Sequence, residues 1–371
     1  MSHETFQLIW FLLIAVLWTG YLVLEGFDFG VGMLLPFLAK DEKERRVMIN
    51  TVGPHWDGNE VWVLTAGGAT FAAFPEWYAT LFSGAYLVLF LILIALIARI
   101  VAFEWRGKIS SPGWQNAYYW GLVLGSWVPA VLWGAAFGNL VAGMKINFVT
   151  TTISNVDGGV TRKTIQYVGN FFDLLLAGNG FALLSGVAVA LIFLVHGAIF
   201  LSMKTTGDLQ KRAGDLAAKL APVLLVGGAA WALWLQFAYS SLKGKGLVTL
   251  GIVVVAAVLL LAIVFLTRAR AAGKAFAASA LLIAGVVALI FTTLYPNVIP
   301  SSIDPAASLT IHNASSSAYT LTMMTWVAVI CTPIVLAYQA WTYWVFRKRI
   351  GVESIPPVTA VTFANANAEA E

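Results

Sequence analysis

Six acidic residues sit within or at the ends of long apolar runs: Glu25, Asp28, Asp57, Glu60, Glu104 and Asp173. A charged side chain near the centre of a bilayer costs about 2.5 kcal/mol or more, so embedded acids need a physical reason. Glu25 and Asp28 are three apart, as are Asp57 and Glu60, and that spacing puts each pair on one face of a helix. No Lys or Arg is expected deep in the same helices. Acids without basic partners are the material of a proton or cation path, or of contacts to another subunit. Carboxyl groups in a low-dielectric interior hold protons to higher pH and can pass them on near neutrality. The plainer alternative is that they cap helix ends or hydrogen-bond across a bundle. Glu104 is most open to that alternative, with Arg99, Arg106 and Lys108 near it, and Asp173 stands alone on a Phe- and Leu-rich stretch.

His55 opens the second apolar run and His196 closes the fifth, while His3 and His312 fall in loops. Two histidines on separate helices can ligate a haem, but such spacing is not diagnostic, and both read first as hydrogen-bonded structural histidines, with haem ligation the weaker alternative. Gly178-Asn179-Gly180 reads as a site of close helix packing. Cys331 lies in an apolar run and reads as a small buried hydrophobe, which excludes a disulfide framework and a thiolate cluster. No phosphate loop, metal-binding repeat or nucleophile motif is present.

The elements that must hold these residues follow from composition. Of 371 residues, 60% are hydrophobic and 11% charged, with 15 Trp, against about 25% charged in a soluble domain; the mean hydropathy is +0.83. That places the chain in the all-α polytopic membrane class. About 20 apolar residues cross a bilayer, which gives nine expected spans, at 8–38, 54–74, 77–103, 117–142, 169–202, 219–241, 247–267, 275–296 and 321–346. The first and fifth are longer than a bilayer needs and should tilt or protrude. The first run is too long, and its flank too acidic, for a cleavable signal peptide. Segment 143–168 is polar, and segment 297–320, rich in Pro and Ser, has the makings of a small cap. Residues 1–357 are expected to form one transmembrane unit, and the Ala-, Asn- and Glu-rich tail 358–371 to be disordered.

Lys145, Arg162, Lys163, Lys243 and Lys245 fall on one side of the predicted spans, and the rest of the 22 basic residues on the other. The positive-inside bias therefore puts the N-terminus outside and the C-terminus in the cytoplasm. The net charge of +4 carries no nucleic-acid signal, because the basic residues are spread over short loops.

The chain resembles subunit II of the cytochrome bd-type quinol oxidases. The resemblance is carried by Glu25-Gly26-Phe27-Asp28-Phe29-Gly30-Val31-Gly32, by Glu44-Arg45-Arg46-Val47-Met48-Ile49-Asn50, and by Pro54-His55-Trp56-Asp57-Gly58-Asn59-Glu60-Val61-Trp62 with the following Thr65-Ala66-Gly67-Gly68-Ala69. It continues in Ala136-Phe137-Gly138-Asn139-Leu140, Pro296-Asn297-Val298-Ile299-Pro300-Ser301-Ser302 and Met324-Thr325-Trp326-Val327-Ala328-Val329. It runs from the first span to the last.

The resemblance implies eight spans in two four-helix bundles with a ninth at the edge. It implies a heterodimer in a bacterial cell membrane with a subunit I that holds two haems b and one haem d. Quinol and oxygen are the implied substrates of the complex, with no catalytic residue or metal site in this chain. Asp57 would belong to a cytoplasmic proton path, with Glu104 where relatives often carry Asp, and with Glu25, Asp28 and Glu60 lining the same polar region. Trp62 would border an oxygen path. A bound quinone or lipid and small accessory subunits are compatible with it. From residue chemistry alone, two rivals stand beside this reading, a proton-coupled secondary transporter and a passive structural subunit.

Overall fold

The computed structural model describes residues 2–109, 111–153, 160–178, 180–240, 242 and 244–355; the tail 358–371 lies outside them. Helices dominate: α1 (His3–Leu38), α2 (Glu42–Val52), α3 (Trp56–Ala73), α4 (Pro75–Gly84), α5 (Tyr86–Trp105), α6 (Pro112–Ala142), α7 (Phe171–Leu175), α8 (Phe181–Lys204), α9 (Gly207–Tyr239), α10 (Lys245–Arg268), α11 (Ala272–Leu294) and α12 (Ala318–Val345). Strands β1 (Ile146–Ile153) and β2 (Val160–Tyr167) form an antiparallel hairpin, and β3 (Asn297–Ile299) pairs with β4 (Leu309–Thr310).

Eight helices are long and apolar enough to cross a membrane among the described residues: α1, α5, α6, α8, α9, α10, α11 and α12. The second expected span, 54–74, is the 18-residue helix α3, whose Asp57, Asn59 and Glu60 keep it outside that set. At 1.5 Å per residue, α1 with 36 residues is about 54 Å long, well beyond a hydrocarbon core of about 30 Å. The expected third span is broken at Ala85 into α4 and α5. The expected fifth span is shorter than its apolar run. Gly178 and Gly180 take left-handed φ of 62° and 92°, so the chain turns there between α7 and α8 and does not pack there as one helix.

The helices sort into two groups of four, α1, α3, α5 and α6, and α8 to α11. The groups meet where α8 packs on α1 and α6, and α11 on α1. At one of these crossings the backbones nearly touch: a Cβ on Gly30 would stand 2.1 Å from the Phe193 carbonyl oxygen, and one on Gly197 would stand 2.5 Å from the Gly30 carbonyl carbon. Helix α12 lies at the edge against α1 and α3, with Leu321 its one buried residue among those described. Cys331 is therefore exposed on its surface and is not part of the core.

The two faces of the bundle differ. At the end where α1 stops, α2 is clasped by Glu42–Arg106 (2.6 Å) at the end of α5 and by Glu44–Arg212 (2.6 Å) on α9. This is the basic face. At the opposite face, segment 297–320 closes over the helix ends. Its Ser302 N–H donates to the Met144 carbonyl (3.0 Å), its Ser316 N–H to the Ala73 carbonyl (2.8 Å), and His312 Nδ1 meets Gln7 Oε1 at 2.9 Å.

Candidate functional site

Glu25 lies near the middle of α1, and helices α3, α5 and α6 close around it. Its side chain is fully buried. Contrary to the expectation of acids without basic partners, Arg99 of α5 donates from Nη1 to Glu25 Oε1 and sits 3.8 Å from Glu60 Oε2. Arg99 is itself fully buried, its guanidinium 4.7 Å from the Phe29 ring and 5.2 Å from the Phe103 ring. The basic residue that sequence counting assigns to a loop is thus the counter-ion at the centre of the first helix group. The signal that would have found it is the unbroken apolar run on both sides of Arg99, which no loop interrupts.

Asp28, one turn beyond Glu25, is also fully buried and accepts from Asn59 Nδ2 at 2.7 Å. Asn59 Oδ1 in turn accepts from Tyr343 Oη (2.6 Å) and Gln339 Nε2 (3.3 Å), both on α12. Gln339 Oε1 accepts from Trp62 Nε1 at 2.9 Å. The Trp62 ring packs against Gly20 of α1, where a Cβ would come within 2.1 Å of it. One polar chain therefore runs Asp28–Asn59–Gln339–Trp62, with Tyr343 joined at Asn59, and fastens the edge helix to α1 and α3. Gln339 and Tyr343 escape sequence reasoning because their partners, Asn59 and Trp62, are 277–284 positions away.

Asp57 and Glu60 differ in burial although their spacing keeps them on neighbouring parts of one helix face. Three residues turn a helix to within about 60° of its starting direction, enough at this rim to send Glu60 inward to Arg99 and leave Asp57 exposed, accepting from the Gly58 N–H at 2.7 Å. Glu104 is exposed at the end of α5. The stacked rings of Trp56 and Phe103, 5.3 Å between centroids, are the sequence neighbours of Asp57 and Glu104 and place both acids on the same end of the bundle. Five acids thus form two sets: Glu25, Asp28 and Glu60 around Arg99, and Asp57 and Glu104 at the basic-face rim.

His196 lies two turns inside the end of α8, fully buried. Its Nδ1 meets Ser279 Oγ at 2.7 Å and its Nε2 meets the Val23 carbonyl at 3.1 Å. Neither nitrogen is left for iron, so the residue does not fit haem ligation. His55 precedes α3, with ring nitrogens that have no hydrogen-bond partner among the described residues. Phe27, Phe200 and Tyr343 pack around it, their ring centroids 4.7–6.3 Å from its own.

Asp173 is remote from the acids of α1, α3 and α5. It caps α7 reciprocally with Asn170 and pairs with Lys145 at 2.7 Å. The Lys145 ammonium, then the Asn170 N–H, hold its carboxyl below the usual range. A carboxyl depressed in the folded state stabilises it above the unfolded value of about 3.9, and that contribution fades as pH falls through the folded value. Amide exchange in α7 is therefore expected to speed up below about pH 4, and in Asp173→Asn to be insensitive to pH over that range. Equal pH response in both proteins would show that the ion pair does not hold the helix.

A family model described as cytochrome bd terminal oxidase subunit II matches residues 6–346. The chain is 39% identical to the cytochrome bd-I ubiquinol oxidase subunit 2 of Escherichia coli strain K12, over 96% of this chain and 98% of that one. It is 40% identical to the cytochrome bd ubiquinol oxidase subunit 2 of Bacillus subtilis strain 168, over 92% and 96%. Its fold matches a chain of the bd oxidase structure from Geobacillus thermodenitrificans with a TM-score of 0.70 at 14% identity, over 92% of this chain and 98% of that one.

Proposed function

The chain belongs to the cytochrome bd oxidase subunit II family, and from that membership we propose how it serves its complex. It is an integral membrane subunit of an oxidoreductase, and its partner is a subunit I. In the proposed reading it supports that partner and carries protons from the basic face toward it, for reduction of oxygen to water at the expense of quinol. The basic face is cytoplasmic and the N-terminus outside, in a bacterial cell membrane; the bias of Lys and Arg supports this even with Arg99 withdrawn from the loops. The haems b and d, held by subunit I, supply the electron transfer and the oxygen chemistry.

The observation that carries the proton reading is a set of buried carboxyl oxygens left unpartnered: Glu25 Oε2, Asp28 Oδ1 and Glu60 Oε2 have no hydrogen-bond partner among the described residues. A buried acceptor left so costs about 1–3 kcal/mol unless a water or a proton meets it. Asp57 and Glu104 take protons at the rim, Glu60 is one helical turn further in, and Glu25 and Asp28 are enclosed beyond it. Protons drawn from inside, while quinol releases its own outside, build a voltage without a pump. Trp62, held by Gln339 over Gly20, supports the reading of an oxygen path along α1 and α3.

Asp57→Asn tests this in the purified complex. Oxygen consumption per haem is expected to fall by at least about tenfold, the scale on which a lost proton carrier acts, with haem content unchanged and with Asp57→Glu restoring the rate. Normal turnover per haem in Asp57→Asn ends the proposal for that residue. The Glu25–Arg99 ion pair favours a second reading, in which the innermost acid is a structural fastener.

A further inference from the structure

A cavity of about 400 Å³ opens on the basic face among the ends of α8, α9, α10 and α11, on the side of the molecule away from Glu25 and Arg99. We propose that it is a binding site for a phosphate-bearing anion, the headgroup of an anionic phospholipid at the membrane boundary or the free ion. Four observations converge on it.

First, its wall presents three cations from three separate segments, Lys211 of α9, Arg270 of the α10–α11 turn, and Arg349 beyond α12. Two acids face the same cluster: Asp208 is 3.6 Å from Lys211, and Asp215 is ion-paired with Arg270. Arg349 makes no ion pair among the described residues, so the cluster keeps a net positive charge. Second, α11 begins in the cavity wall with Ala272 and Gly273, and its N-cap residue Ala271 has no side chain able to cap it. The first N–H groups of this 23-residue helix have no acceptor within the helix, and with the helix dipole they favour a negative charge.

Third, Arg270 occupies a left-handed position, φ 56°, the one non-glycine residue to do so among those described. Its N–H donates to the Thr267 carbonyl and the next N–H, from Ala271, to the Leu266 carbonyl, the turn by which a helix ends and which glycine ordinarily fills. A guanidinium is kept where glycine would make the same turn without strain. Fourth, the position suits a headgroup: α8 and α10 both end at this level with a basic residue in the last turn, Lys204 and Arg268. Basic pockets between transmembrane helices on such a face recognise anionic lipid headgroups, and each cation near the surface adds about fivefold in affinity.

The test uses the whole oxidase complex in mild detergent, compared with Arg270→Gly and Arg349→Gln. Glycine is favourable at position 270, so that variant is expected to assemble. Native mass spectrometry after titration with phosphatidylglycerol, with phosphatidylcholine as the zwitterionic control, is expected to show one phosphatidylglycerol retained about fivefold less by each variant, with phosphatidylcholine unaffected. If inorganic phosphate raises the thermal midpoint of the parent complex but not of the variants, while phosphatidylglycerol retention is equal in all three, the site takes the free ion. Equal lipid retention together with equal phosphate response overturns the proposal. Should Arg270→Gly fail to assemble, Arg349→Gln decides alone, because Arg349 holds no ion pair among the described residues whose loss would disturb the fold.

Discussion

Arg99→Leu is expected to destabilise the subunit by about 3–5 kcal/mol, the cost of removing one partner from a buried ion pair. Few substitutions in this chain should cost more. Glu25 and Arg99 are both fully enclosed, and the guanidinium also faces Glu60 at 3.8 Å and the rings of Phe29 and Phe103. Take the guanidinium away and Glu25 is left as an acid in an apolar interior, with Glu60 beside it. The expected readout is a large fall in the thermal midpoint of the purified complex and a loss of assembled yield. Glu25→Gln combined with Arg99→Met removes both charges at similar volume and is expected to recover most of the stability, because a neutral core avoids the desolvation of two ions. An Arg99→Leu protein as stable as its parent would show that the pair contributes nothing.

The double variant also separates the two readings of Glu25. If the acid only fastens α1 to α5, turnover per haem returns with stability. If it carries protons, stability returns and turnover does not. Asp57 bears on neither outcome, since it is exposed at the rim and forms no ion pair with Arg99 among the described residues. The proton reading therefore gains or loses its rim and its interior independently.

Apolar run length made most of the helices legible. Helices α6, α10, α11 and α12 lie within a few residues of the predicted spans 117–142, 247–267, 275–296 and 321–346. Hydropathy is a local property, and so is the need for about 20 apolar residues. What it could not show was where a run changes direction. The run 169–202 is apolar through its turn, and only the left-handed φ of Gly178 and Gly180 breaks it. The same limit explains the site. The acids are visible as anomalies within apolar helices, but the partner of each is set by packing. Arg99 is 74 positions from Glu25, and Lys145 is 28 from Asp173. Counting Arg99 with Arg106 and Lys108 treats three nearby cations alike, although burial separates the first of them from the third. The family motifs reached further than the spacing did, because Glu25, Asp28, Asn59, Glu60 and Trp62 all fall within two of the quoted stretches.

Gly30→Val is expected to cost about 3 kcal/mol or more, at the upper end of overpacking penalties, because what it meets is backbone. A Cβ there would stand 2.1 Å from the Phe193 carbonyl oxygen and 2.8 Å from the Gly197 Cα, so no rotamer change relieves it. Small residues let membrane helices approach this closely, and in lipid such packing replaces the hydrophobic drive that holds soluble helices together. Helices α1 and α8 join the two four-helix groups, so forcing them apart should act at a distance. His196 on α8 is bonded to the Val23 carbonyl of α1 at 3.1 Å, and Gly26 of α1 faces the Phe193 ring. Separation loosens both, two turns or less from Glu25 and Asp28. The expected result is a lowered thermal midpoint with a parallel loss of turnover. Gly251→Ala on α10 is the matched control. Nothing lies within 4 Å of a Cβ there, and a helical glycine replaced by alanine should leave stability equal or raise it by about 0.5–1 kcal/mol. If the two variants shift the midpoint alike, the close crossing of α1 and α8 is not what binds the two halves of the subunit.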